Sequence, residues 1–202
     1  MPQFDAILFD FDGVLADSEP IHFACWKEIL APLGVALDWE FYRDRCIGLA
    51  DGDMLRLFAQ RCDPPRGWED LMARYPEKKD LFRSRMLHDP PFAPGLPGIL
   101  ERLHEGYKLA VVTSSGRTEV EPVLEAAGLR PFFDALVCGR EAGSLKPAPE
   151  PYLLAAKLLG SVCPLVVEDS EPGLASGMAA GFETLAVSSP ETLGEALFGR
   201  LQ

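Results

Sequence analysis

The sequence has no long apolar run and no excess of basic residues. None of its apolar runs approaches the roughly 18–20 residues that a helix needs to cross a bilayer, so no membrane span is expected. Lys+Arg number 19 against 31 Asp+Glu, a formal net charge of −12. This balance disfavours nucleic acid as a partner, because duplex binding depends on a basic face. An anionic small molecule remains compatible, since a local cluster of positive groups or a bound cation is enough to hold it.

Paired cysteines are also missing. The five cysteines are scattered without a Cys-x-x-Cys pair, which argues against a disulfide framework and against a zinc site. They are expected to be small buried side chains in a reducing compartment. The segment MPQFDAILFDFDG carries acidic residues where a signal peptide requires basic ones. We therefore expect a cytoplasmic protein.

Short apolar runs without polar alternation predict strands that are covered on both faces, as in a parallel sheet. Helical patterns separate the later runs, and this alternation is typical of a doubly wound α/β fold. The predicted strands are Ala6–Phe9, 109–112, Ala135–Cys138, 165–167 and 184–187.

A long segment without a strand pattern interrupts the alternation after the first strand. It contains helical patterns and ends in the proline-rich stretch HDPPFAPGLPG. We expect a helical insertion formed by residues 17–88 in a core formed by residues 1–16 and 89–202. The chain passes twice between the two parts, an arrangement that suits a hinge.

Two carboxylates follow the first strand in the run Asp10-Phe11-Asp12-Gly13. In open α/β sheets, ligands bind beyond the carboxyl ends of the strands, and Gly13 permits a sharp turn there. One carboxylate can attack phosphorus and form an aspartyl-phosphate, while a second can protonate a leaving alcohol and then activate water. Capping of a turn is the alternative explanation for such a pair taken alone.

A second acidic pair, Glu168-Asp169, follows the strand predicted at 165–167. Two acids directly beyond a buried strand are costly unless they are exposed, paired or bound to a metal. Carboxylate oxygens suit Mg²⁺, which binds through one or two carboxylates and a substrate phosphate. The alternative is the N-cap of a following helix, and the two roles are compatible.

Two further elements offer groups that bind an anion. The run Thr113-Ser114-Ser115-Gly116 follows a predicted strand and precedes a helix, so that a hydroxyl and backbone N–H groups meet at a helix start. Lys146 supplies a cation on a proline-stiffened loop. Plain helix capping and a solvated surface lysine are the respective alternatives.

These four elements occur together and in one order, and here the sequence resembles the haloacid dehalogenase-like hydrolase superfamily. The matching stretches are FDFDGVLADSE, VVTSS, LKPAPEPY and VVEDSEPGLASGMAAG. The helical segment resembles the small α-helical cap of that superfamily, in its β-phosphoglucomutase and phosphoglycolate-phosphatase-like branch. The resemblance implies a Rossmann-like core with an inserted cap, and Mg²⁺-dependent hydrolysis of a small phosphorylated metabolite.

The resemblance also implies roles for the acidic residues. Asp10 is expected to be the nucleophile and a Mg²⁺ ligand, and Asp12 the general acid/base and a ligand through its backbone carbonyl. Asp169 is expected to complete the metal site, with Glu168 a ligand directly or through water. Dehalogenases of this superfamily generally lack the second aspartate, so Asp12 favours phosphate chemistry.

Four further residues receive roles from the same resemblance. Thr113 is expected to bind the transferring phosphoryl group through its hydroxyl, and Ser114 through its backbone N–H. Lys146 is expected to neutralise phosphate charge and to hold Asp10. His22 is expected to face the active site and assist acid/base chemistry when the cap closes, the alternative being a partly exposed helix histidine.

The cap loop departs from the sugar-phosphate mutases, which carry a lysine just before a glycine and an arginine three residues after it. Aligned on Gly48, this chain has Ile47 and Asp51 at those positions. Nearby Arg43 and Arg45 are alternative cations, although exposed arginines are usually solvated. We therefore expect a phosphatase. A phosphosugar mutase, and a non-catalytic member that binds a phosphorylated ligand or a partner, stay open.

Overall fold

The chain divides into two units in the computed structural model, which describes residues 3–49 and 51–202. One unit comprises the residues up to Asp17 together with Pro90–Gln202, and the other is Ser18–Asp89. Each unit has its own hydrophobic core, and each is described separately below.

A parallel five-stranded sheet organises the described part of the first unit. The strands are β1 (Ala6–Phe9), β2 (Lys108–Thr113), β3 (Ala135–Cys138), β4 (Pro164–Glu168) and β5 (Glu183–Ala186). Their order is β3-β2-β1-β4-β5, and β1 pairs with β2 and β4 in a register that aligns Phe9 with Val111 and Val167. Because this order reverses beside β1, the predicted doubly wound α/β sheet is confirmed.

Helices of the first unit pack against the sheet. They are α6 (Leu96–His104), α7 (Arg117–Ala126), α8 (Glu150–Leu159), α9 (Glu171–Ala179) and α10 (Leu193–Arg200), with 3-10 helices at Arg130–Phe132, Gly139–Ala142 and Pro190–Thr192. Tyr152 and Ala155 of α8 pack in one buried cluster with Leu8 and Val112 of the strands. The helix α9 approaches closely at Gly177, where an added Cβ would lie 2.7 Å from a Thr184 methyl group.

The last strand differs from its prediction. β5 covers Glu183–Ala186, one residue earlier than the predicted 184–187, and its side chains are exposed or half-buried. The expectation that both of its faces are covered is wrong. Among the described strands, β5 pairs only with β4, but β3 at the other edge of the sheet is buried throughout, so an edge position alone does not account for the exposure of β5.

Helices and no strand form the regular structure of the described part of the second unit, apart from an isolated β-bridge between Val35 and Cys62, in agreement with the helical pattern of the sequence. Its core includes Trp26, Leu30, Tyr42 and Phe58, which are buried together. The helices are α1 (Glu19–Leu30), α2 (Trp39–Arg45), α3 (Asp51–Ala59), α4 (Trp68–Met72) and α5 (Tyr75–His88), with a 3-10 helix at Ala31–Leu33.

The chain segments that flank the insertion are joined to each other within the first unit. The Asp17 N–H donates to the Pro91 carbonyl at 2.9 Å, and the Ala93 N–H donates to the Leu15 carbonyl at 2.8 Å. The main chain therefore leaves and re-enters this unit at neighbouring points. Among the residues described, no helix is long and apolar enough to span a membrane.

Candidate active site

Three parallel strands end at one edge of the sheet and bring the polar residues of distant segments together. Asp10 directly follows β1, while Thr113 and Glu168 are the last residues of β2 and β4. The backbone N–H of Asp10 still donates to the Val167 carbonyl at 3.0 Å, which fixes where the side chain begins. Lys146 reaches this edge from the loop between β3 and α8.

Lys146 connects three of these segments through its ammonium group. Its Nζ lies 2.7 Å from Asp10 Oδ1, 2.5 Å from Glu168 Oε1 and 2.9 Å from the Val112 carbonyl oxygen. These acceptors account for all three N–H donors of a lysine. Lys146, which was predicted to hold Asp10, therefore donates a hydrogen bond to it.

Burial sets the charge states at this edge. Burial alone disfavours the lysine cation, but the carboxylates of Asp10 and Glu168 outweigh it and raise the pKa of Lys146 above its ordinary value. Burial, and next the charge of Glu168, raise the pKa of Asp10 well above its ordinary value, with Lys146 opposing them. The acidic groups therefore exceed the positive charge that Lys146 supplies, and a bound cation would favour the ionised form of Asp10.

Glu168 is fully buried and its two oxygens are engaged on different sides. Oε1 accepts from Lys146 and, at 2.6 Å, from the Tyr152 hydroxyl. Oε2 accepts from the backbone N–H groups of Asp169 and Ser170 and from the Ser170 hydroxyl at 3.1 Å. Burial, and next the charge of Glu168, raise the pKa of Tyr152 well above its ordinary value, so its hydroxyl remains a donor.

Asp10, Glu168 and Asp169 form a group that could hold a metal ion. One carboxylate oxygen from each lies within 4.8 Å of the others. Two glycines make room for these carboxylates. A Cβ on Gly13, whose φ is +80°, would lie 2.0 Å from Asp169 Oδ2, and a Cβ on Gly173 would lie 1.9 Å from the Glu168 carboxyl carbon. The site therefore requires glycine at both positions.

Asp12 lies beside the hydroxyl groups that follow β2. Its Oδ2 accepts from Ser115 Oγ at 2.7 Å and from Thr113 Oγ1 at 3.3 Å. Thr113 Oγ1 in turn accepts from the Ser115 N–H at 3.0 Å. Ser114 lies between Thr113 and Ser115 in the sequence, and its side chain is exposed. Its predicted role uses only its backbone N–H. The first unit therefore brings together six of its predicted site residues, namely Asp10, Asp12, Thr113, Lys146, Glu168 and Asp169, and Ser114 adjoins them only through its chain neighbours.

His22 belongs to the helical unit, in α1. Its ring stacks on Phe82 with centroids 3.9 Å apart, and its Nδ1 lies 2.7 Å from Nζ of the buried Lys78. Because an ammonium group only donates, Nδ1 accepts and the ring proton is assigned to Nε2.

The cap-loop residues also lie in the helical unit. Asp51 Oδ2 accepts from the Tyr75 hydroxyl at 2.6 Å, and Ile47 is 38% exposed. Arg43 pairs with its neighbour Asp44 at the surface, and Arg45 is exposed.

Sequence reasoning missed Ser115, Tyr152 and Lys78 as contacts of the predicted site residues. Ser115 lies in the run Thr113-Ser114-Ser115-Gly116, but that run alone assigns no role to its hydroxyl. Tyr152 lies on the apolar face of α8, where its position predicts core packing, and Lys78 is 56 residues from its partner His22. Only the three-dimensional contacts reveal these three.

The model of the haloacid dehalogenase-like hydrolase family matches residues 7–187 of the chain. The chain belongs to this family. Among its relatives, the phosphorylated carbohydrates phosphatase of Thermotoga maritima is 30% identical over 90% of this chain and 83% of the relative. The fructose-1-phosphate phosphatase YqaB of Escherichia coli is 30% identical over 92% of this chain and 97% of the relative.

A solved structure is similar over most of its length. CbbY from Rhodobacter sphaeroides, crystallised in complex with phosphate, superposes with a TM-score of 0.76 at 28% identity, covering 91% of this chain and 85% of that one. The predicted family is confirmed, and the named relatives support the predicted phosphatase class.

Proposed function

We propose that the protein hydrolyses the phosphomonoester of a small phosphorylated carbohydrate through an aspartyl-phosphate on Asp10, with Mg²⁺ as cofactor. The observation that carries this proposal is the contact of the Asp10 carboxylate with Lys146 at the carboxyl edge of the sheet, beside Asp12 and the Thr113 hydroxyl. Phosphoryl transfer depends mainly on such positioning and charge neutralisation.

The donor set fits a hard divalent cation. Carboxylate oxygens are the ligands that Mg²⁺ prefers, and the group Asp10, Glu168 and Asp169 carries more negative charge than Lys146 offsets. We assign Asp10, Asp169 and the Asp12 backbone carbonyl as ligands. Glu168, whose oxygens already accept from several donors, belongs to the outer part of the site. Bound Mg²⁺ would neutralise the charge that develops on the phosphoryl oxygens.

The first step forms the covalent intermediate. An oxygen of Asp10 attacks phosphorus, and the bond from phosphorus to the sugar oxygen breaks. Asp12 gives its proton to that oxygen, so that the product leaves as an alcohol. The Thr113 hydroxyl, the Ser114 N–H and Lys146 stabilise the phosphoryl oxygens.

The second step returns the enzyme to its starting state. Asp12, now ionised, accepts a proton from a water molecule whose oxygen attacks phosphorus. The bond between phosphorus and Asp10 breaks, which releases inorganic phosphate and restores both carboxyl groups. Each proton that Asp12 gives in the first step is thus recovered in the second.

Two observations support a carbohydrate monophosphate as the substrate: the names of two relatives, and the residues of the cap loop. Two relatives are named for phosphorylated carbohydrate and fructose 1-phosphate. A mutase needs cationic groups for the second phosphate of its bisphosphate intermediate. Ile47 offers no charge, and the Asp51 carboxylate is hydrogen bonded to Tyr75. These residues favour a monophosphate and hydrolysis by water.

The helical unit is proposed as a cap, with His22 assisting acid/base chemistry on closure. The Lys78 contact supports a defined orientation of the His22 ring. Loss of kcat in both His22→Ala and Lys78→Met would support this role. Binding of a phosphate-mimicking metal fluoride should protect the two connecting segments from proteolysis, and unchanged cleavage would contradict a mobile cap.

The deciding experiment measures phosphate release from a panel of sugar phosphates, with Mg²⁺ and after exhaustive chelation. We expect turnover only with the metal and almost none in Asp10→Asn, because an amide is a poor nucleophile. Asp80→Asn, at an exposed carboxylate of the helical unit, is the matched control. Mass spectrometry after acid quench should detect one added phosphoryl group on wild type. Wild-type turnover in Asp10→Asn would overturn the proposal.

A further inference from the structure

Two hydroxyl groups contact the same oxygen of Asp12, and they are not equivalent. Ser115 Oγ lies 2.7 Å from Oδ2, the usual length for an O–H donor, whereas Thr113 Oγ1 lies 3.3 Å away. Ser115 is half-buried and Thr113 is 3% exposed, so both contacts are shielded in part from water.

The backbone around Ser115 is fixed on both sides. Its own N–H donates to Thr113 Oγ1 at 3.0 Å, and the next N–H, of Gly116, donates to Glu119 Oε2 at 3.0 Å. Glu119 is itself buried, at 3% exposure. The hydroxyl of Ser115 therefore projects from a rigid turn towards Asp12.

Helix capping does not account for this hydroxyl. The N-cap of α7 is Gly116, and the carboxylate of Glu119 satisfies its N–H. The Ser115 hydroxyl instead crosses to a residue 103 positions earlier in the chain. Its contact is with the proposed site and not with its own helix.

A single hydrogen limits what each hydroxyl can do. In the proposed reaction the Thr113 hydroxyl donates to the phosphoryl group, so it cannot donate to Asp12 at the same time. Ser115 has no assigned phosphoryl contact and keeps its hydrogen for Oδ2. With substrate bound, Ser115 is then the hydroxyl that orients Asp12.

We propose that Ser115 is a positioning residue for Asp12. Its hydroxyl fixes Oδ2 and thereby orients the carboxyl group that exchanges the proton with the leaving alcohol and then with water. The inference rests on the proposed function and deepens it, since it assigns the orientation of the general acid/base to one side chain of the β2–α7 turn.

Leaving groups of different basicity test this role. A 4-nitrophenolate departs without a proton, whereas the alkoxide of a sugar needs one, so only the second depends on an oriented Asp12. The probes are 4-nitrophenyl phosphate and the sugar phosphate that wild type turns over fastest. Values of kcat/KM report on the first step, and their ratio does not depend on the fraction of folded enzyme.

In Ser115→Ala we expect kcat/KM for the sugar phosphate to fall about tenfold to a hundredfold, through kcat rather than KM, and that for the aryl phosphate by less than about threefold. Ser115→Thr, which keeps the hydroxyl, should restore most of the ratio. Thr118→Ala, at an exposed hydroxyl in the first turn of α7, is the matched control and should leave both values unchanged.

A double-mutant cycle separates positioning from a general structural effect. In an Asp12→Asn background, Ser115→Ala should change neither value, because the group it orients no longer transfers a proton. An equal loss for both substrates, or the same loss in the Asp12→Asn background, would overturn the role of Ser115 while leaving the proposed function intact. Absence of phosphate release by wild type would overturn the proposed function, and this inference with it.

Discussion

Replacing Tyr152 by phenylalanine removes one hydroxyl from the surroundings of a fully buried carboxylate and leaves the aromatic ring in place. The hydroxyl donates to Glu168 Oε1 at 2.6 Å, and both residues are 0% exposed. The same oxygen also accepts a hydrogen bond from the Lys146 ammonium group at 2.5 Å, and this bond is retained in the variant. The perturbation is therefore the loss of one hydrogen bond to a charged acceptor.

The size of the effect follows from these contacts. A hydrogen bond to a charged group contributes about 1.5–3 kcal/mol to the free energy of unfolding. Because Lys146 still compensates the charge of Glu168, Tyr152→Phe should remain within that range, a fall in Tm of roughly 3–12 °C for a chain of this length. Lys146→Met, which leaves Asp10 and Glu168 without their cation, should cost more, about 3–5 kcal/mol.

Urea denaturation and scanning calorimetry measure this difference. Tyr107→Phe is the matched control, since Tyr107 is half-buried and its hydroxyl makes no hydrogen bond in the described part of the chain. We expect the control to change the free energy of unfolding by less than about 0.5 kcal/mol. A Tyr152→Phe protein as stable as wild type or as Tyr107→Phe would refute the argument that this hydroxyl stabilises Glu168.

Three further changes test separate parts of the first unit. Gly13→Ala, which directs a Cβ at the Asp169 carboxylate, should weaken Mg²⁺ binding at least about tenfold by isothermal titration calorimetry. Gly181→Ala, with a similar φ of +79° and no atom within 4 Å of the new methyl group, should not weaken it. Burial would raise the pKa of Asp5, but its hydrogen bonds outweigh burial and lower it. Asp5→Asn should therefore reduce the free energy of unfolding by about 1 kcal/mol at neutral pH, and by less as the pH falls through about 4. In the native protein, exposed Cys163 should react with Ellman's reagent well before the buried cysteines, while all five react after denaturation.

Each of these expectations has a contrary outcome. Equal losses of Mg²⁺ affinity in the two glycine variants would make backbone strain, and not the approach of a carboxylate, the cause. An Asp5→Asn deficit that persists unchanged below about pH 3 would contradict the lowered pKa of Asp5. Rapid modification of Cys138, whose thiol pKa burial raises to about 12, would contradict its burial in β3.

The central strands were predictable because both of their faces are covered. A run such as Ala6–Phe9 must be apolar throughout, and the run is recognisable without any alignment. β2 is one residue longer at each end than the predicted run 109–112, because the polar residues Lys108 and Thr113 also belong to the strand. β5 was misjudged because the predicted run 184–187 is as free of charged residues as the other predicted runs, although the side chains of Glu183–Ala186 are exposed or only half-buried.

The acidic and hydroxyl residues were predictable as a set, since each follows a strand that ends at the same edge. Which of these residues form hydrogen bonds with each other could not be predicted. Whether the Lys146 ammonium meets Asp10, Glu168 or both depends on loop geometry that spacing does not encode. The same holds for the Ser115 hydroxyl, because its contact with Asp12 joins two residues that are 103 positions apart in the sequence.

The hydrogen bonds between the segments before Asp17 and after Pro90 mean that the core meets the insertion as a loop whose two ends are already fastened side by side. The entropy of closing such a loop rises only slowly with its length, by about 0.6 kcal/mol for each doubling. The length of the inserted segment is therefore only weakly constrained by the cost of closing it. The junction is in this sense a splice point, at which evolution or an engineer could exchange the proposed cap while the hydrogen bonds that fasten its two ends stay within the first unit.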